Sequence, residues 1–295
     1  MLSLAALRYR NVLAIHGGPV ERIDTGKFSV RGRPMIQANA SLVPGLARKR
    51  PQTIYSNADG TGTHPTPGIA RHIAVSEALE RWAFYSVVRS ERAAEFGFDV
   101  DPSSNGMAAF PGIFPSDARR KAMLEAVERF CLISWWEGLA KGQALDTDWP
   151  GVSAVVIDGP FGGVTAIVHA RTEWGGYAYG HAAEESVGAA CERAVIELAR
   201  HECVLRSWWL GFVSGEKKVP ASLFERRCLF FASEEGHQLF RERLLTPPDG
   251  TMPRATVACD LAIPGPWSDY ATVWRFALHP PSPEFLRADE RYFFW

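Results

Sequence analysis

The sequence has 295 residues, of which 46% are hydrophobic and 22% are charged, the composition of a globular protein rather than of a disordered chain. Its 32 Lys and Arg residues against 33 Asp and Glu residues leave a formal net charge of −1, without the basic excess of a general nucleic-acid binder. No apolar run approaches the ~20 residues of a membrane-spanning helix, and the first residues lack the cleavage pattern of a signal peptide. We therefore expect a cytoplasmic protein that binds neither nucleic acid nor a membrane.

Cysteines and histidines do not form a recognisable metal or disulfide pattern. The five cysteines are scattered without a C-x-x-C pair, which argues against a disulfide framework or a zinc ribbon. The eight histidines show neither H-x-x-x-H nor H-E-x-x-H spacing, so a zinc site is not expected. Cys131 lies in an apolar stretch, and we interpret it as a packed side chain rather than a nucleophile.

The first half of the sequence predicts short strands followed by two long helices. The strand-like runs are Phe28–Arg31, Met35–Ala40 and Gln52–Tyr55. One helical pattern starts after Pro67 and continues to Phe96, just before Gly97. A second helical pattern covers Asp117–Gly142, with Ser116 as its N-cap.

The second half predicts a hairpin, further helices and two late strands. Val152–Asp158 and Val164–Trp174 flank a Gly-rich turn and are typical of a β-hairpin. Helical patterns follow at Glu184–Gly211 and Ala221–Leu245, then strand patterns at Ala255–Ile263 and Tyr270–Pro280. Because strands and helices come in blocks without a regular βαβ rhythm, we predict an α+β fold. No linker separates the blocks, so we expect one domain over residues 1–295.

The most informative feature is a partial internal repeat on the two long helices. The segments Glu77–Trp82 and Glu125–Phe130 both read E-A-φ-E-R-aromatic and lie 48 residues apart. Positions i, i+3 and i+4 share one helix face, so each copy presents two carboxylates and one guanidinium together. Asp117 lies about two turns before Glu125 on the same side, and the third helix carries Arg193, Glu197 and Arg200 on a single face.

Two interpretations of these acidic faces remain open. A single E-x-x-E-R sequence on a helix is usually a solvated surface with a Glu–Arg pair. Here apolar residues flank the charges widely, and buried carboxylates must be paired or must hold cations. Carboxylates from separate helices would suit Mg²⁺, which typically works alongside substrate phosphates, and the neighbouring arginines would face those phosphates.

Two glycine-containing loops precede the acidic helices. The segment Ser103–Gly106 could offer hydroxyl, amide and backbone N–H groups to an anion, but an ordinary turn explains it equally well. The same two interpretations apply to Gly60–Gly62. No G-x-x-x-x-G-K-[ST] sequence occurs, so any nucleotide site is not a P-loop. His181, directly after Gly180, is expected to open the third helix and could contact a ligand, but a loop histidine is the default interpretation.

Taken in order, these motifs resemble those of the YcaO family over roughly residues 50–280. The order is G-x-G followed by E-x-x-E-R, then SSNG followed by A-x-x-E-x-x-E-R, a hairpin, and R-x-x-x-E-x-x-[QR]. The resemblance implies a single domain with mixed and antiparallel sheets and long helices that carry an ATP and Mg²⁺ site. It implies an enzyme that phosphorylates a peptide backbone amide oxygen before a Cys, Ser or Thr side chain, a sulfide or an amine attacks, which forms an azoline, thioamide or amidine in a ribosomally made peptide.

The resemblance also assigns roles to individual residues, whereas no catalytic residue is identified. The implied metal-binding acids are Glu77, Glu80, Asp117, Glu125, Glu128 and Glu197. The implied nucleotide-contacting residues are Ser104, Asn105, Arg81, Arg129, Arg193 and Arg200. The implied partners are a peptide substrate with a leader and a separate leader-recognition protein, and a homodimer is a candidate assembly.

Several departures from the family pattern support an alternative. The first loop reads Gly-Thr-Gly where many members have Gly-Lys-Gly, Ile73 stands at a usually small position, and Phe130-Cys131 replaces a common Asp-Ala. The prolines near the end do not form the terminal proline-rich tail of azoline-forming members. The alternative is a non-catalytic YcaO-like subunit that acts as a scaffold in a peptide-modifying complex.

Overall fold

Antiparallel strands and α-helices alternate in blocks, as the α+β prediction requires. The protein is represented by a computed structural model that describes residues 9, 11–46, 54, 58–99 and 104–295. The strands are β1 Val20–Val30, β2 Arg33–Leu42, β3 Gly60–His64, β4 Asn105–Pro111, β5 Gln143–Asp146, β6 Ser153–Asp158, β7 Val164–Arg171, β8 Tyr177–Glu184, β9 Thr256–Ala262 and β10 Ala271–His279. The helices are α1 Pro67–Val87, α2 Pro115–Trp136, α3 Val187–Val213, α4 Leu223–Ala232, α5 Glu234–Leu245 and α6 Pro283–Arg287.

The strands form three sheets, with the orders β1-β2-β3, β4-β10-β9 and β5-β6-β7-β8. The hairpin predicted from the Val, Ile and Thr runs is β6–β7, and its antiparallel register places Asp158 opposite Val164. The predicted strand at Gln52–Tyr55 lies outside the described residues except for Ile54. No helix within the described ranges is long and apolar enough to cross a membrane.

The two long helices have different ends from those predicted. α1 ends at Val87 rather than near Phe96, because the Ser90 hydroxyl donates to the Val87 carbonyl at 2.9 Å and closes the helix. A short 3₁₀ segment, Ala93–Phe96, follows and ends at Gly97. The prediction that Ser116 caps the second helix was wrong.

α2 begins two residues earlier than predicted, at Pro115, which suits a first helical position because proline lacks the N–H that a helix start leaves unpaired. The Phe114 carbonyl accepts from the Ala118 N–H at 3.3 Å, so Phe114 is the residue before the first turn. The helical stretch after Pro220 is divided into α4 and α5 at Ser233, whose side chain caps α5 by accepting from the Gly236 N–H.

Three segments predicted as loops are strands. Gly60–Gly62 lies in β3, which pairs with β2. Asn105 begins β4 because it pairs with Ala277 of β10, while Ser103 lies outside the described residues. His181 lies within β8 opposite Ile167 of β7, so the prediction that it opens the third helix was wrong. In each case pairing with another strand decides the conformation, and turn-like composition does not.

The chain divides into two compact units, each assembled from several segments. The first unit comprises residues 1–50, 57–126 and 257–278, and the second comprises 51–56, 127–256 and 279–295. In the first unit α1 packs on β2 and β3 around a core that includes Leu79, Val75 and Trp267. In the second unit α3 packs on β7 and β8, and Trp135, Tyr179, Phe231, Phe240 and Phe293 form an aromatic cluster.

Candidate functional site

The predicted acids lie on three strand–helix modules with a common contact. The modules are β3–α1, β4–α2 and β8–α3, and in each one a strand glycine faces a helix alanine. The pairs are Gly60 with Ala74, Gly106 with Ala122, and Gly180 with Ala194. A Cβ on any of these glycines would lie 2.1 Å from the alanine carbonyl oxygen, so only glycine lets the strand approach the helix this closely. Three residues after each alanine comes a glutamate: Glu77, Glu125 or Glu197.

In the β3–α1 module the Glu77 carboxylate joins the helix to the strand. Its Oε2 accepts from the Thr61 N–H at 2.9 Å, and its Oε1 accepts from Arg81 Nη2 at 3.2 Å. Arg81 also donates to the Ala58 carbonyl at 3.2 Å. The predicted Glu77–Arg81 pair on one helix face is therefore present, and both side chains are about one-third exposed.

The β4–α2 module repeats this arrangement. Glu125 Oε2 accepts from the Met107 N–H at 2.9 Å, and Met107 follows Gly106 as Thr61 follows Gly60. In each E-A-φ-E-R copy a strand N–H thus orients the leading glutamate. The other oxygen of each carboxylate is turned away from that N–H. This is the geometry of a positioned carboxylate, not of a freely solvated one.

In the second unit Glu128 is held by two donors from β8. Its Oε1 lies 2.8 Å from His181 Nδ1, and its Oε2 accepts from the Ala183 N–H at 3.2 Å. Burial alone would raise the pKa of Glu128, but the His181 hydrogen bond and the charges of His181, Arg193 and Arg129 together lower it. Glu128 is therefore an anion that is largely buried, with 17% of its side chain exposed.

The β8–α3 module carries the third acid with two arginines. Arg200 Nη1 donates to Glu197 Oε1 at 2.8 Å. Arg193 instead donates to Glu184 Oε1 at 2.7 Å, at the end of β8. The predicted face with Arg193, Glu197 and Arg200 therefore lies on α3, but its two arginines pair with different carboxylates.

The remaining predicted residues of the first unit differ in exposure. Ser104 and Asn105 are buried, with 2% and 8% of their surface exposed. Asn105 Oδ1 accepts from the buried Arg275 at 3.4 Å. Glu80 and Asp117 are half-buried on α1 and α2. Among the described residues, no group of three or more His, Cys, Asp and Glu side chains is arranged to hold a metal ion.

Sequence reasoning missed the residues that orient the carboxylates. His181 was interpreted as a loop residue, yet its ring bonds Glu128. The backbone N–H groups of Thr61, Met107 and Ala183 leave no side-chain signal in a sequence. A useful signal was present in the three glycines, since each precedes its module's glutamate by 17 to 19 positions.

Comparisons with known proteins provide independent information on the fold. No protein-family model matches the sequence, and no curated protein does. The structure is similar to that of YcaO from Methanopyrus kandleri bound with AMPPCP and Mg²⁺, with a TM-score of 0.55 and 13% identity over 99% of this chain and 94% of that one.

The structure is also similar to a chain of the E. coli microcin synthetase McbBCD complex. With pro-MccB17 bound, that chain gives a TM-score of 0.53 and 11% identity over 88% of this chain and 87% of that one. The complex described without pro-MccB17 gives 0.51 and 12% identity over the same shares. The YcaO-like fold predicted from the order of the motifs is therefore confirmed: this chain has the α+β fold of the YcaO structures.

Proposed function

We propose that this protein is an ATP- and Mg²⁺-dependent enzyme that activates a backbone amide of a peptide. The observation that carries the proposal is the module repeated on a YcaO-like fold, in which a strand N–H orients the leading glutamate of each E-A-φ-E-R copy. Solved structures of this fold include one bound with AMPPCP and Mg²⁺ and one in complex with pro-MccB17. A nucleotide and a peptide are therefore the ligands that we propose here.

The donor chemistry of the acidic residues fits Mg²⁺. An ionised carboxylate offers about four lone-pair positions, and the strand N–H groups use one on Glu77 and one on Glu125. Mg²⁺ is usually bound by one or two carboxylates together with substrate phosphates, so we expect the nucleotide to complete its coordination. The acids that we propose as Mg²⁺ ligands are Glu77, Glu80, Asp117 and Glu125 in the first unit and Glu128 and Glu197 in the second. When bound, Mg²⁺ would neutralise phosphate charge.

The neighbouring cations and donors would orient the nucleotide. A guanidinium can bind phosphate oxygens in a bidentate manner, and we assign this role to Arg81, Arg129, Arg193 and Arg200. Ser104 and Asn105 would contact the nucleotide from the start of β4. Phosphoryl transfer depends mainly on such positioning and charge stabilisation, so this set does not need a side-chain nucleophile.

The proposed reaction transfers the γ-phosphoryl group of ATP to the amide oxygen of the peptide and releases ADP. A Cys, Ser or Thr side chain of the peptide, a sulfide or an amine then attacks the amide carbon, and inorganic phosphate leaves with the former amide oxygen. The product is an azoline, a thioamide or an amidine, according to the nucleophile. A separate protein that recognises the leader of the peptide would deliver the substrate.

A second candidate is a scaffold subunit that does not bind nucleotide. Two observations favour it. Thr61 occupies the place of the lysine that many related loops carry, and its N–H is already bonded to Glu77. Both oxygens of Glu128 already accept hydrogen bonds from β8. In this case the only role of the E-x-x-E-R helices would be to stabilise the fold.

The test is calorimetric titration of the non-hydrolysable nucleotide AMPPCP, with and without Mg²⁺, into the wild type and E125Q. Glutamine keeps an oxygen that accepts from the Met107 N–H, so the fold should persist, but it lacks the charge that a cation requires. We expect Mg²⁺-dependent binding by the wild type and a loss of at least about tenfold in affinity for E125Q. The matched control is E192Q, because Glu192 is an exposed acid of α3 and should bind as the wild type does.

The outcomes separate the two candidates. Mg²⁺-dependent binding that E125Q weakens and E192Q preserves supports the enzyme, and release of inorganic phosphate from ATP would then be measured with candidate peptides. The absence of binding by the folded wild type would reject the nucleotide site and favour the scaffold. Equal binding by all three proteins would reject the role of Glu125.

A further inference from the structure

His181 occupies an unusual place for a histidine on a sheet. It follows Gly180, the β8 glycine that packs on α3, and its ring contacts the acidic residue Glu128. Only 15% of the His181 side chain and 17% of the Glu128 side chain are exposed. The pair is therefore shielded from most of the water that would otherwise compete for its hydrogen bond.

The chemistry of the pair determines which atom donates. An ionised carboxylate can only accept hydrogen bonds, so Nδ1 of His181 must carry the hydrogen. The 2.8 Å separation from Oε1 is that of a charge-assisted hydrogen bond. The Ala183 N–H holds the other oxygen at 3.2 Å, so β8 restrains both rotation and translation of the carboxylate.

This restraint leaves Glu128 able to bind a further group. Each oxygen retains a second lone-pair direction after accepting one hydrogen bond. Hydrogen bonds to ligating carboxylates orient them for a metal ion, and their loss typically costs 10–100-fold in metal affinity. A histidine that only filled space would not need its Nδ1 directed at an acid.

We propose that His181 is a positioning residue, which orients the Glu128 carboxylate for a divalent cation bound with nucleotide phosphates. This inference rests on the proposed function, because it assumes that Glu128 contacts the cation. It adds a residue of strand β8 to the predicted acids, all of which lie on helices. His181 itself does not need to touch the nucleotide.

The experiment compares two substitutions that differ in the hydrogen bond they leave. In H181N the side-chain amide places an N–H near the position of Nδ1, whereas H181L retains bulk without a donor. We expect the Mg²⁺·AMPPCP dissociation constant, measured by calorimetry, to rise about tenfold or more in H181L and to remain within about threefold of wild type in H181N. If H181L does not fold, H181Q replaces it. The amide of glutamine lies one methylene farther from the backbone than that of asparagine, so it does not reproduce the position of Nδ1.

The matched control is H237N, in the same unit. His237 is also buried and also bonds through Nδ1, in this case with the Tyr179 hydroxyl at 2.9 Å. We expect H237N to alter the melting temperature without changing nucleotide affinity, which separates a structural effect from positioning.

The possible results are distinguishable. Selective weakening in H181L with recovery in H181N supports the inference. Wild-type affinity in folded H181L, or equal weakening in H181L and H181N, overturns it while the proposed function stands. If the wild type itself does not bind Mg²⁺·AMPPCP, the proposed function fails and the inference fails with it.

Discussion

His72 of α1 is a histidine whose environment suits an apolar ring. Only 5% of its surface is exposed, and its ring centroid lies 5.2 Å from those of both Tyr9 and Phe110. Neither ring nitrogen has a hydrogen-bond partner within the described residues. Burial, helped by the charge of Lys121, lowers the pKa of His72 to about 4. The side chain is therefore a neutral ring that contributes packing while leaving two polar atoms unsatisfied.

We expect H72F to raise the free energy of unfolding by about 1–3 kcal/mol, because it keeps the ring and removes the unsatisfied nitrogens. Urea unfolding at pH 7 measures the change. The control H72A leaves a cavity and should lower the free energy of unfolding by about 2 kcal/mol or more. A less stable H72F would indicate that a nitrogen of His72 is satisfied by a group such as bound water.

At the level of secondary-structure elements, the glycine–alanine contacts of the three modules decide how closely strand and helix approach. Gly106 is representative: a Cβ there would lie 2.1 Å from the Ala122 carbonyl oxygen and 2.8 Å from the Ala126 nitrogen. These are backbone atoms, which cannot move aside as a flexible side chain can. The same approach brings the Met107 N–H within reach of Glu125, so the packing of the module and the orientation of its acid depend on one contact.

We expect G106A to lower the free energy of unfolding by about 3 kcal/mol, the upper part of the range for overpacking, because backbone must be displaced. It should also weaken Mg²⁺-dependent nucleotide binding, since Glu125 would lose its orienting N–H. Chemical denaturation and calorimetry check the two effects. G68A is the control: Gly68 lies in the first turn of α1 with open space around it, and alanine there should be neutral or slightly stabilising. A fully stable G106A would contradict the close approach.

At the scale of the whole molecule, buried histidines couple folding to pH. Burial lowers the pKa values of His72, His201 and His237 to about 4, although the Tyr179 carbonyl opposes this at His201. In the unfolded chain these histidines titrate near 6.5. Between these pH values the unfolded state binds more protons than the folded state, so stability falls as pH falls. The contribution is fully present above about pH 6.5 and is lost as pH decreases toward 4.

Within this window we expect the free energy of unfolding to fall by about 1.4 kcal/mol per pH unit for each of the three histidines. The urea midpoint should therefore fall steadily between pH 6.5 and pH 4. The free energy of unfolding of H72F should depend less steeply on pH than that of the wild type, by the equivalent of about one bound proton. A flat profile over the same pH range, or an unchanged slope in H72F, would contradict the assignment of these groups as neutral in the folded protein.

Features that depend on neighbours along the chain could be predicted from the sequence. The E-A-φ-E-R repeat places Glu77 beside Arg81 through helix geometry alone, and the structure contains that pair. The Val-, Ile- and Thr-rich runs predicted the β6–β7 hairpin because a short turn sets its register. The order of the motifs also predicted the YcaO-like fold that the comparisons support. Periodicity and spacing are local properties, so they can be interpreted without coordinates.

The groups that meet across long sequence separations could be identified only from the folded structure. Asn105 became a strand residue through pairing with Ala277, and His181 became a partner of Glu128, 53 positions away. Backbone N–H groups orient the acids, and every non-proline residue has one, so the sequence carries no mark of which N–H is used. The distances between strand and helix follow from close packing of glycine against alanine, which exists only once both elements have formed and met.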